Sequence, residues 1–118
     1  MTRPLLDESR RSPEAASIIS KFHRDTVDEV IAAVDAGGWV IVGMAQNPVV
    51  KKARKLLDKH GMEHRYLEYG SYVSDWRRRL AIKIWAGYPL FPMVFRDGVL
   101  IGGMTELARL EKKGELKG

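Results

Sequence analysis

The chain contains no cysteine. That absence removes disulfides, a thiol nucleophile, thiolate-bound zinc and a self-ligated iron–sulfur cluster from its chemistry. Long apolar runs are missing as well. None approaches the ~20 residues of a membrane span. The first ten residues, MTRPLLDESR, lack the apolar stretch of a secretory signal. No membrane association and a cytoplasmic location are therefore expected. Histidine is scarce, and His23, His60 and His64 have no nucleophile motif around them, so no Ser/His/Asp set is suggested. His60-Gly-Met-Glu63-His64 has the letters of an inverted zinc-protease motif. That motif needs both histidines one helical turn apart, and Gly61 stops the helix between them.

What is present describes an ordinary globular chain. At 118 residues it is one domain, and 45% hydrophobic with 30% charged residues is a usual balance. The net charge of +5 is uneven. Lys51, Lys52, Arg54, Lys55 and Lys59 face only Asp58 within their stretch, and Arg77, Arg78, Arg79 and Lys83 face no acid within theirs. Such clusters suit an anionic ligand or partner, and solvated helix faces produce the same pattern. No aromatic RNA-binding motif or helix-turn-helix accompanies the arginines, which argues against nucleic acid.

The pattern of apolar residues orders the elements. Residues 1–12 are polar and read as a flexible arm ahead of a single domain over 13–118. Ser12-Pro13-Glu14 opens a helix, with a cap followed by proline in the first turn. Ile18, Phe22, Val27, Val30, Ile31 and Val34 carry that helix to Gly37-Gly38. Trp39 to Val42 is a continuously apolar run, as in a central strand covered on both faces. Asn47-Pro48 opens a basic amphipathic helix that Gly61 ends. Glu63 to Tyr69 is a second strand, so strand, helix and strand form a parallel βαβ unit. Ser74 is expected to cap a helix running to about Trp85. In "PMVFRDGVLIGG", two apolar runs flank Asp97-Gly98, the signature of a hairpin with a type I′ turn. A last helix follows Gly102-Gly103. A parallel pair, an antiparallel hairpin and helices on both faces predict a four-stranded mixed sheet of the thioredoxin-like kind.

From Trp39 onward the chain resembles the glutaredoxins, and among them the single-domain monothiol branch. "GYPLFPMVFRDGVLIGG" matches that family's Trp-Pro-Thr-Phe-Pro segment, hairpin and Gly-Gly, and "KKGELKG" matches the Gly-Glu-Leu that closes many monothiol members. The extra N-terminal helix suits the same branch. The resemblance implies a thioredoxin-like (glutaredoxin) α/β fold. It places Asn47-Pro48-Val49-Val50 on the family's Cys-Pro-Tyr-Cys or Cys-Gly-Phe-Ser. A cysteine there is activated by the helix N-terminus. Asparagine cannot ionise or attack a disulfide, but it is among the best helix caps.

The resemblance also outlines a cleft for glutathione or a similar small anion. It implies a cis Pro92 with Phe91 pairing backbone-to-backbone with the tripeptide, and Arg79 reaching a carboxylate as a fork. Gly103, Met104 and Thr105 stand where the family has Gly-Cys-Asp, so the charge facing the ligand's ammonium is lost unless Glu106 replaces it. Met44 stands in place of a lysine. Trp85 and Tyr88 flank the proline segment, where they either line a recognition surface or pack in the core. The expected ligand-binding set is Asn47, Pro48, Val49, Arg79, Phe91, Pro92, Gly103, Met104 and Thr105. No residue is assigned a catalytic role and no metal is expected. The function expected is a non-redox binding or adaptor module, with a protein partner or a glutathione-like anion in the cleft. The alternative is a glutathione-dependent oxidoreductase or transferase in which bound glutathione supplies the thiol.

Overall fold

A computed structural model describes residues 3–116. The first two residues of the expected arm and the last two of the expected domain lie outside the described residues. The elements run α1 (Pro13–Lys21), α2 (Arg24–Asp35), β1 (Trp39–Gly43), α3 (Pro48–Lys59), β2 (His64–Glu68), α4 (Trp76–Ala86), β3 (Met93–Arg96), β4 (Val99–Gly102) and α5 (Met104–Lys112). Ahead of them, Glu8–Arg10 forms a short 3-10 turn capped by Asp7.

The four strands make one sheet in the order β2-β1-β3-β4. β1 pairs with β2 in parallel and with β3 antiparallel, and β3 pairs with β4 antiparallel. Asp97 and Gly98 both take positive φ, as the type I′ turn requires. Asp97 also fastens the hairpin tip to the start of β1, because its Oδ1 accepts the Gly38 N–H at 2.8 Å.

The sheet is covered on both faces, which explains why β1 is apolar at every position. Val40 and Val42 point to one side, into a core with Val30, Ala33 and Val34 of α2 and Ile82 of α4. Trp39 and Ile41 point to the other side, against Ala53, Leu56 and Leu57 of α3 and Leu107 of α5. Leu116 of the Gly-Glu-Leu segment is buried in this second cluster. Two side-chain bonds tie α2 to its neighbours. Arg78 Nε donates to Thr26 Oγ1 at 2.7 Å, and the buried Tyr69 hydroxyl donates to Glu29.

Two helix boundaries differ from those expected. The single N-terminal helix is in fact two. Phe22 leaves the helix with ψ 106° and His23 adopts the left-handed region at φ 45°. The apolar spacing slips at that point, Val27 coming five positions after Phe22 where a helix face needs a step of three or four. The second difference is at α4, which begins at Trp76 with Asp75 in the cap position. Ser74 is drawn into a tight turn instead: the Ser71 N–H donates to Ser74 Oγ, and Ser71 and Ser74 exchange backbone bonds.

Candidate functional site

Three segments meet at one end of the sheet. The Val42–Met93 pairing sets the exit of β1 beside the entry of β3, and the Val94–Gly102 pairing sets the exit of β4 next to it. Asn47-Pro48-Val49, Phe91-Pro92 and Gly103-Met104-Thr105 are thereby gathered at one edge. The approach between the last two is close. A Cβ on Gly103 would stand 3.2 Å from the Pro92 carbonyl oxygen and 3.2 Å from the Tyr88 hydroxyl. The Phe91–Pro92 peptide is cis.

Asn47 is buried, and its role is explicit. Oδ1 accepts the N–H groups of Val49 at 2.9 Å and Val50 at 3.1 Å, which caps α3. Those are two of the donors that an anion would otherwise find at a helix N-terminus. Gln46 just before it lies in the left-handed region at φ 61°. Val50 is buried and packs hard against the backbone of Gly43, where a Cβ would come within 2.7 Å of Val50 Cγ1. Val49 is exposed at the mouth of the cleft, and the lysines of α3 point to solvent.

The N-terminus of α5 is answered in the same way. Glu106 Oε1 accepts the Gly103 N–H at 2.7 Å and the Tyr88 hydroxyl at 3.3 Å. The Gly103 N–H, with the Tyr88 bond and Arg109 adding to it, holds the Glu106 carboxyl below its usual range. Burial, the Glu106 charge and the bond to it push the Tyr88 hydroxyl up. Glu106 is thus spent on its own helix rather than offered to a ligand ammonium. A glutamate in the third helical position is the sequence signal for such a cap.

Arg79 is buried as well, and Nη1 donates to the Tyr69 carbonyl at 3.0 Å and the Ser74 carbonyl at 2.6 Å. It clamps the loop that joins β2 to α4. This loop borders the site, since the Ala45 N–H donates to the Gly70 carbonyl at 2.7 Å. The free fork expected for a ligand carboxylate is therefore engaged with the backbone.

Not every expected contributor comes to the cleft. Trp85 turns away from it and packs against Phe95, with ring centroids 6.0 Å apart, while Tyr88 faces it. His60 ends α3 and its Nε2 bonds Glu111 Oε2 at 2.7 Å, whereas His64 begins β2. Among the described residues no group of three or more His, Asp or Glu is placed to hold a metal ion. A thiolate-held cluster does not fit these residues, because the atom at the ligand position is Asn47 Oδ1 and it faces its own helix amides. No described helix is long and apolar enough to cross a membrane.

Against known proteins, the chain is 40% identical over 108 residues to a glutaredoxin-like protein of Dictyostelium discoideum, covering 92% of this chain and 88% of that one. No protein-family model matches. Among solved structures, a mutated buckwheat glutaredoxin superposes with a TM-score of 0.72 at 20% identity, over 82% of this chain and 88% of that one. The buckwheat glutaredoxin–glutathione complex superposes with a TM-score of 0.68 at 22% identity, over 79% and 84%.

Proposed function

The chain belongs to the glutaredoxin family, and from that premise we propose that it is a binding module without redox chemistry, receiving glutathione or a short extended peptide in the cleft. The observation that carries this reading is the backbone of Phe91. It lies at the edge of the cleft just before β3, and among the described residues neither its N–H nor its C=O is used by the chain itself. An unpaired backbone edge beside a sheet is what an extended peptide needs to add as a short strand. Glutathione is itself a tripeptide, and the buckwheat relative was solved with it. The closing Gly114-Glu115-Leu116 supports placement near the monothiol branch, and Leu116 shows why the motif matters, by returning the chain to the core.

The same geometry argues against thiol chemistry by the protein. Asn47 supplies no nucleophile, and its side chain satisfies the amides that would stabilise a thiolate. A ligand here meets a cleft whose charges are already partnered, so binding rests on backbone pairing and is weak.

Amide NMR during a titration with reduced glutathione tests the reading. Shifts confined to Val49, Phe91 and residues 103–105 are expected at millimolar ligand. A spectrum unchanged at those amides sinks it. Turnover in a glutathione-coupled disulfide assay would favour the enzyme alternative, with bound glutathione as the thiol.

A further inference from the structure

A sizeable cavity lies away from this cleft, on the face of the molecule that carries α1, α2 and α4. It measures about 580 Å³, within the roughly 300–1,000 Å³ usual for small-molecule sites. Ile18 and Ile19 of α1 form one wall, Val27 and Ile31 of α2 the floor, and Leu80, Ile84 and Trp85 of α4 the other wall. Several of these apolar side chains are left exposed. α1 buries none of its residues, Ile18 is 70% exposed and Ile84 is 54% exposed. Among the described residues, apart from Ser20, only two polar side chains line the cavity, Arg11 and Arg24, and no carboxylate does.

We infer that this groove binds an amphipathic anion, a single alkyl chain ending in a carboxylate, as in a free fatty acid. The walls are aliphatic over most of their length and offer almost no hydrogen-bonding group, so the body of the ligand must be hydrocarbon. The charge at the rim selects the head. Arg24 is held in place by Asp28 through Nε and by Ser20 through Nη1, which leaves Nη2 outside these bonds. Arg11 forms no ion pair among the described residues. The acids of α2, Asp25, Asp28, Glu29 and Asp35, stand outside the groove lining, so Arg11 and the Nη2 of Arg24 are the charged groups that meet a head at the rim. A second copy of the chain docked about a two-fold axis would bring these like-charged rims together, which disfavours self-association through the groove. The surface is concave, so it suits an inserted chain better than a flat membrane.

The test is a titration with dodecanoate below its micelle concentration, followed by calorimetry and by tryptophan fluorescence. Trp85→Phe identifies the responding residue among the three tryptophans, since Trp39 is buried on the opposite face of the sheet and Trp76 is outside the groove lining. Saturable one-to-one binding with a Trp85 signal is expected. Leu80→Glu and Ile84→Glu, both at partly exposed positions, should each weaken it about tenfold or more while far-UV circular dichroism stays unchanged. Arg11→Ala should weaken dodecanoate several-fold and leave dodecanol unaffected. Absence of saturable binding, binding indifferent to both glutamate variants, or dodecanol bound as tightly as dodecanoate would each overturn the proposal. So would binding only to phosphatidylglycerol vesicles, or a dimer in sedimentation that Ile84→Glu dissolves.

Discussion

The cleft at the end of the sheet and the groove over α2 and α4 are opposites in how their groups are satisfied. In the cleft, the polar groups that could receive an anion are already partnered: Asn47 caps α3, Glu106 caps α5, and Arg79 holds the carbonyls of Tyr69 and Ser74. In the groove, Ile18 and Ile84 are largely exposed and Arg11 forms no ion pair among the described residues. The cleft thus turns its hydrogen bonds inward. The groove keeps apolar side chains exposed to solvent. Self-satisfied polar groups stabilise a fold and weaken a site, because a ligand must displace a partner before gaining one.

Substitutions should fall on the two sides of this contrast. Arg79→Ala is expected to have the largest effect, a loss of about 2–3 kcal/mol in urea unfolding, since two loop carbonyls lose a charged donor. If stability is instead unchanged, Arg79 is free for a ligand and the clamp reading is wrong. Asn47→Ala should cost about 1 kcal/mol. Asn47→Asp should be neutral or gain about 0.5 kcal/mol at neutral pH, because a carboxylate favours the helix N-terminus. In Asn47→Cys, the introduced thiol should titrate below the ~8.5 of free cysteine if the helix end still attracts an anion. An unshifted thiol would mean that the anion site is gone along with its nucleophile.

Glu106→Gln should lose about 0.5 kcal/mol, and here the pH dependence is informative. A carboxyl held low in the folded state stabilises above its unfolded value, near ~4.3, and that contribution fades as pH falls through the lower folded value. Wild type and variant should therefore differ at pH 7 and converge in acid. A gap that persists in acid would show that the bond to Gly103 does not depend on charge. The smallest effect belongs to the groove. Ile84→Ser should change stability by no more than about 0.5 kcal/mol, because the side chain is more than half exposed. A larger loss would show that something in the chain already fills the groove.

Much of the fold was legible before any coordinates. The Asp97-Gly98 turn, the continuously apolar β1 and the Asn47-Pro48 helix start are local signals, each set by a few adjacent residues. The cap at Asn47 was legible for the same reason, since it joins atoms two and three residues apart. Arg79 was not. Three consecutive arginines look alike in sequence, yet Arg77 is exposed, Arg78 bonds Thr26 across to α2, and Arg79 reaches Tyr69 and Ser74. Which of them is buried depends on how α4 is rotated against the sheet. Ser74 misled for a related reason: its side chain suited a helix cap, but Ser71 competed for it.

The sequence by itself determined the family, the loss of the nucleophile and the order of the elements from β1 onward, because these reside in residue identity and short-range spacing. Only the tertiary structure decided what each retained group now does. Whether Glu106 faces a ligand or its own helix, and whether Trp85 belongs to the cleft or to the groove, depends on packing among elements far apart in the chain. Burial and hydrogen-bond competition settle those choices, and no single stretch of sequence contains both competitors.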